Sequence, residues 1–345
     1  MSLYSEITEQ PERIASLLAS QKKTVEQIAA AIQKRDIRYV FLAARGTSDN
    51  AGRYANYLLG AQNGLPLALA TPSLFTYYKR PPKLKNALVV GISQSGQSPD
   101  IVSVLEEGRK QGCATLAITN EPNSPLAQSA DFLLDIQAGA EKAVAATKTY
   151  TAELVCVAML SAALGGNKKR WAELGQVAGW MKSALKQNDF IAQATQRYRY
   201  MDRTVVLGRG FNYSTAFEWA LKLKELTYII AEPYSSADFA HGPIAMVDSG
   251  FPVLAVAPKG KVFQTMLETL RHLRVDYGAE LVIISNDKRA LSLAQLPLTI
   301  PADVPEWLSP LVGIVPAQLF AYHLTVAKGF DAERPRGLRK VTETR

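Results

Sequence analysis

The feature that most constrains this chain is a spacing that occurs twice. Short β-rich runs alternate with helical patterns along its whole length. In the first half they are Tyr39–Ala44, Leu67–Ala70, Ala87–Ile92, Ala114–Thr119 and Asp131–Ile136. In the second half they are Thr204–Leu207, Pro252–Ala257, Glu280–Ile284 and Leu296–Ile300. Starts at residues 39, 87, 114 and 131 lie 48, 27 and 17 residues apart; starts at 204, 252, 280 and 296 lie 48, 28 and 16 apart. Continuous apolar runs suit parallel strands covered on both faces. Two copies of one doubly wound α/β unit account for the recurrence. One strand is weakly marked: Tyr228–Ala231 belongs either to the second strand of the second copy or to the helix before it.

A layout follows. Residues 1–35 read as an N-terminal helical segment of one or two helices, with Pro11 as a start signal. Residues 36–166 form the first α/β domain, closed by a long helix over Lys148–Leu164. Residues 167–196 form a helical linker, 197–330 the second α/β domain and 331–345 a C-terminal tail. A length of 345 residues suits two such domains.

Composition narrows the function. Charged residues make up 20% of the chain and hydrophobic ones 48%, which excludes disorder. The formal charge of +8 suits anionic partners such as phosphate esters or nucleic acid, or reflects only a solvated basic surface. Nucleic acid is the weakest of these, because the basic residues show no aromatic interleaving. Cys113 and Cys156 lie in apolar runs and read as buried thiols of a reducing compartment. Three histidines and no Cys/His cluster leave no expected metal site. The start of the chain is polar and acidic, unlike an export signal. The most apolar stretch, Leu154–Leu164, is shorter than the roughly 20 residues that span a bilayer. A cytoplasmic protein with no membrane partner and no cofactor is expected.

The strongest local motif is Ser93-Gln94-Ser95-Gly96-Gln97-Ser98-Pro99-Asp100. It follows a strand and precedes an amphipathic helix, with Ser98 as N-cap and Pro99 at the first helical position. Hydroxyls and free N–H groups converge there, as an anion requires. The alternative is a serine-rich turn that merely caps. No lysine lies inside the loop, which favours a sugar phosphate over a nucleoside triphosphate. A second loop, Arg45-Gly46-Thr47-Ser48-Asp49-Asn50, follows the first strand, and Ser48 there is a ligand contact or a helix cap. A third segment, Glu141 to Lys148, precedes the long helix; Thr147 and Lys148 either touch ligand or form a plain turn with a solvated lysine. The corresponding loop of the second copy, Pro258-Lys259-Gly260-Lys261, lacks hydroxyls.

Glu218, Lys222 and Glu225 share one helical face, as a catalytic group or as a common surface ion pair. His241 lies in a Gly-Pro turn that suits core packing poorly, which makes it a candidate functional residue. His272 and His323 read as structural or surface residues.

Together the motifs resemble the sugar isomerase (SIS) domain family, across nearly the whole chain. The resemblance rests on Gly46-Thr47-Ser48, Ser93-Gln94-Ser95-Gly96, Val144-Ala145-Ala146-Thr147-Lys148, Ala220-Leu221-Lys222-Leu223-Lys224-Glu225, His241-Gly242-Pro243 and Pro335-Arg336-Gly337-Leu338-Arg339-Lys340. It implies two tandem flavodoxin-like SIS domains. It implies that Ser93, Gln94, Ser95 and Ser98 hold a sugar phosphate with Thr47, Ser48 and Ala146 nearby. It implies that Glu225 moves a proton between C1 and C2, that Lys222 supports it, and that His241 opens the ring from the neighbouring subunit of a homodimer. Lys340, in a tail over the active site, stands at C2 and is able to form a Schiff base. The likeness is strongest to the isomerase half of glucosamine-6-phosphate synthases. Gly337 replaces their usual asparagine, Ala146 their serine, and no glutaminase domain fits before residue 39. The variants Ser-Gln-Ser-Gly-Gln-Ser-Pro-Asp and Lys-Val-Thr-Glu-Thr resemble stand-alone amino-sugar-phosphate deaminases. The expected reaction converts glucosamine 6-phosphate to fructose 6-phosphate and ammonia. The rivals are a fructosamine-6-phosphate deglycase and a non-catalytic sugar-phosphate sensor.

Overall fold

The computed structural model describes residues 2–340. It contains two five-stranded parallel sheets. The first is built from β1 (Tyr39–Ala43), β2 (Leu67–Leu69), β3 (Ala87–Ile92), β4 (Ala114–Thr119) and β5 (Phe132–Asp135), in the order β2-β1-β3-β4-β5. The second is built from β6 (Arg203–Gly208), β7 (Ile230–Ser235), β8 (Pro252–Val256), β9 (Glu280–Ser285) and β10 (Leu296–Thr299), in the order β7-β6-β8-β9-β10. The two orders are the same, and every pairing is parallel. The chain is therefore a doubled, doubly wound α/β fold. Of the inner strands, β3, β4, β8 and β9 are buried at every residue, and β1 and β6 at all but their first, which is why they read as apolar runs.

The ambiguous segment resolves at Tyr228. It ends the helix Tyr213–Thr227 in the left-handed conformation, with φ 60°. The edge strand β7 then begins at Ile230. Pro233 lies inside it, which an edge strand tolerates and a central one does not. An exposed strand carrying a proline lacks the apolar run that marks its neighbours.

Contacts divide the chain into two compact units. The first-sheet unit holds Glu12–Glu141, Lys148–Gln176 and, from the tail, Arg339 and Lys340. The second-sheet unit holds residues 2–11, Lys142–Thr147 and Val177–Leu338. In the first, Phe41, Val89, Ile101, Leu105 and Ala117 belong to the core between sheet and helices. In the second, Leu207, Val253, Ala255, Leu267 and Ile283 do the same. The long helix of the first unit, Lys148–Leu164, is buried from Lys148 to Ala162.

Two sequence expectations need correction, and a longer apolar segment joins Leu154–Leu164. That segment is Glu306–Ala327, which includes the helix Ser309–Ala327. It is long and apolar enough to cross a membrane, yet 83% of its apolar window is buried inside the protein. Pro316 lies within that helix and Pro310 at its start, and prolines in the sequence obscure a helical pattern. Lys148 is not solvated: its side chain is buried, and its Nζ donates to the Ala140 carbonyl at 2.6 Å. Basic residues do stand beside exposed aromatics, where Tyr77 and Tyr78 precede Lys79 and Arg80 and where Tyr200 follows Arg199. Cys113 and Cys156 are both free and buried, and burial pushes the Cys156 thiol well above its ordinary range.

Candidate active site

In the first-sheet unit the serine-rich loop joins β3 to the helix Pro99–Lys110. Its tight turn requires Gly96, which has φ 61° and is packed so closely that a Cβ would lie 2.0 Å from Ser124 Oγ. The Gly96 N–H donates to Ser93 Oγ at 3.1 Å, and the Gln97 N–H to Ser95 Oγ at 3.3 Å. The Gln94 carbonyl accepts from the Asn120 N–H, which anchors the loop to the end of β4. Ser98 is the N-cap residue, followed by Pro99, but its side chain makes no cap bond. Ser93, Ser95 and Ser98 thus keep their O–H groups uncommitted among the described residues. A tetrahedral anion needs such donors beside a helix N-terminus.

The neighbouring loop starts the helix Gly46–Asn63. Thr47 is half-buried there. Ser48 is buried and donates its only O–H to Glu153 Oε1 at 2.8 Å, so as folded it offers an anion no proton. Between the two loops, Arg45 Nε donates to Asp100 Oδ2 at 2.7 Å.

Lys340 lies in this same unit. Its Nζ is 2.7 Å from Glu141 Oε2, whose side chain is fully buried. Glu141 also accepts from the Thr149 N–H at 3.2 Å and from Thr149 Oγ1 at 2.8 Å, at the start of the Lys148–Leu164 helix. Glu141 and Lys340 are 199 residues apart, so no local pattern could have paired them. Val341–Arg345, the end of the predicted tail, lie outside the described residues.

The second-sheet unit carries the candidate acid–base groups. Glu218, Lys222 and Glu225 are not a surface pair: the Glu218 and Lys222 side chains are 0% and 1% exposed, and Glu225 is 22% exposed. Lys222 Nζ lies 3.3 Å from Glu218 Oε1 and 2.5 Å from Glu225 Oε2. Burial alone would push the ammonium down. The two carboxylates outweigh it and hold the pKa of Lys222 above its ordinary value, so the group is a fixed cation at neutral pH. His241 is exposed and ends the short helix Ser236–Ala240. Ala146 belongs to this unit and not to the one that carries the serine loop. The buried Glu6 carboxylate accepts from the Lys142 N–H at 2.5 Å and holds that segment. His272 is exposed beside Asp276, and His323 meets Asn188 at 2.8 Å.

The loop after β8 mirrors the serine loop. In the register of the sheets, Ala43 pairs with Gly91 and Leu207 with Ala255, so Gly260 stands where Gly96 stands. Here a carboxylate of the chain itself fills the turn. The Lys261 N–H donates to Glu306 Oε2 at 2.9 Å, and a Cβ on Gly260 would lie 2.0 Å from the Glu306 carboxyl carbon.

Comparison with known proteins gives a consistent result. The SIS domain family matches residues 35–163 and 198–328. A glutamine–fructose-6-phosphate aminotransferase (isomerizing) of Pyrococcus horikoshii is 33% identical over 98% of this chain and 57% of its own length. The chain thus spans little more than half of the curated relatives it matches. The C-terminal domain of glucosamine-fructose-6-phosphate aminotransferase from Francisella tularensis superposes with TM-score 0.85 and 30% identity, covering 96% of this chain and 98% of that one. A glucosamine-6-phosphate deaminase from Thermotoga maritima shares the fold, with TM-score 0.82 at 20% identity and full coverage of both chains.

Proposed function

The chain belongs to the SIS domain family, and from that premise we propose that it is a sugar-phosphate isomerase that couples isomerisation to deamination. Glucosamine 6-phosphate is converted to fructose 6-phosphate and ammonia. The observation that carries this reading is the buried Glu218–Lys222–Glu225 cluster, in which Glu225 alone is open to solvent. A carboxylate held against a fixed cation is an oriented base, and removing a weakly acidic carbon proton requires one.

We assign phosphate binding to Ser93, Gln94, Ser95 and Ser98, with Thr47 and Ser48 beside them and Ala146 as a further substrate contact. His241 assists opening of the sugar ring. Glu225 takes the proton from C2 and returns it to C1, which turns the amino aldose into a ketimine. Water adds to the ketimine and ammonia leaves. Lys222 holds Glu225 in place, and Lys340 stabilises negative charge on the enolic oxygen, as a donor aimed at developing charge does. The working form is a homodimer in which His241 serves the neighbouring subunit. Mixing inactive His241→Ala and Glu225→Ala proteins should then restore partial activity, and a fully active monomer in sedimentation would contradict the assembly.

The decisive assay follows ammonia from glucosamine 6-phosphate. Release without glutamine supports the reading. Glucosamine 6-phosphate formed only when glutamine or ammonia is supplied would favour the synthetic direction named for the aminotransferases. Release only from fructosamine 6-phosphates would identify a deglycase.

A further inference from the structure

The sequence reading assigned no role to Arg45, and the structure places it between the two loops at the ends of β1 and β3. These strands are neighbours on either side of the point where the strand order reverses, the position at which sheets of this class bind ligands. Arg45 precedes the helix Gly46–Asn63, and its partner Asp100 lies in the first turn of the helix Pro99–Lys110. The Asp100 side chain is 0% exposed, whereas that of Arg45 is 50% exposed.

The contact is one-sided. Asp100 Oδ2 accepts from Arg45 Nε at 2.7 Å, and Oδ1 accepts from the Ile101 N–H at 3.0 Å. Among the described residues no acceptor takes the Nη groups of Arg45. A pair that served only to neutralise a buried carboxylate would be better made fork to fork. Asp49, an acid that also feels Arg45, is already paired 3.2 Å from Arg53 Nη2. The geometry therefore holds one edge of a guanidinium still and leaves the other edge to solvent. The held edge is pinned to Asp100, two residues after Ser98 in the segment that carries the three uncommitted serine hydroxyls.

We propose that Arg45 is a substrate-binding residue, whose free Nη edge takes the phosphate dianion together with Ser93, Ser95 and Ser98, and that Asp100 is its positioning residue. The inference rests on the assignment of phosphate to the serine loop and adds a forked cation to it.

Sorbitol 6-phosphate, an open-chain analogue that does not isomerise, serves as the probe, with sorbitol as the control that lacks the phosphate. Calorimetry on the full chain measures affinity, and urea unfolding measures stability. Arg45→Ala leaves Asp100 buried without its counter-ion, so the informative protein is the double variant Arg45→Ala with Asp100→Asn. It should recover the stability lost by Arg45→Ala yet bind sorbitol 6-phosphate about ten- to a hundred-fold more weakly than wild type, the effect of losing a charged hydrogen bond. Arg45→Lys keeps the counter-ion and loses the fork, and should weaken binding about tenfold. Wild-type affinity in both proteins, while Ser95→Ala is impaired, would overturn the role of Arg45 and leave the phosphate loop standing. Wild-type affinity in Ser95→Ala as well would overturn both.

Discussion

The two copies in this chain share one strand order and differ in what fills the same turn. After β3 the turn carries Ser93, Ser95 and Ser98, with their O–H groups uncommitted. After β8 the equivalent turn is closed by Glu306, which accepts the Lys261 N–H. The arginine that follows the first strand shows the same divergence. Arg45 is pinned by the buried Asp100, while Arg209, its counterpart in register, donates Nη1 to Thr265 Oγ1 at 3.2 Å. The lesson is that a parallel sheet fixes where a ligand turn stands, and side chains decide whether it is open. On the proposed function, one copy of the duplicated fold keeps the binding turn and the other carries the proton-transfer groups.

The comparison is broken most severely at the acid–base cluster. Glu225→Gln should lower kcat by roughly a hundred- to ten-thousand-fold, as loss of a general base does, with sugar-phosphate affinity unchanged. Steady-state kinetics beside calorimetry would test it, and a parallel loss of affinity would show that the two copies do not divide the work. Lys222→Met leaves the buried Glu218 without its cation and should destabilise the protein by about 3–5 kcal/mol in urea unfolding. Ser95→Ala should weaken sorbitol 6-phosphate binding by about ten- to a hundred-fold. Lys259→Ala, at the equivalent place after β8, should leave it unchanged, and a matching loss there would mean that both turns bind anions.

The smallest effect concerns pH. Glu280 begins β9 where Ala114 begins β4. Burial pushes its carboxyl up, but Arg197 at 2.7 Å and Tyr200 at 3.2 Å pull it further down, so its folded pKa lies below the ordinary 4.5. The stabilisation is fully present above the unfolded value and is lost as pH falls through the lower folded one. Glu280→Gln should therefore flatten the acid limb of the urea midpoint plotted from pH 7 to pH 3. A limb as steep as that of wild type would remove Glu280 from the account.

The strands were legible because each inner strand is a buried apolar run, and the repeated spacing exposed the duplication. The edge strand β7 was ambiguous because half-exposed strands lack that run. The serine loop was visible because all its parts lie within eight residues. Arg45 and Asp100 stand in two separate motifs, and their pairing crosses 55 residues, which no periodicity reports. The one-face spacing of Glu218, Lys222 and Glu225 was evident in the sequence, whereas their burial was not. An i, i+4 pair looks the same on a wet face as on a dry one.

That buried cluster has a consequence for how charge is conserved inside the protein. Lys222 has two anions and requires only one. With both carboxylates ionised the trio carries a single negative charge. If either glutamate gains a proton, the trio becomes neutral and the ammonium still has a counter-ion. The cluster therefore never holds a bare cation at any stage of a proton's visit, and an isolated glutamate–lysine pair at the same depth has no such reserve.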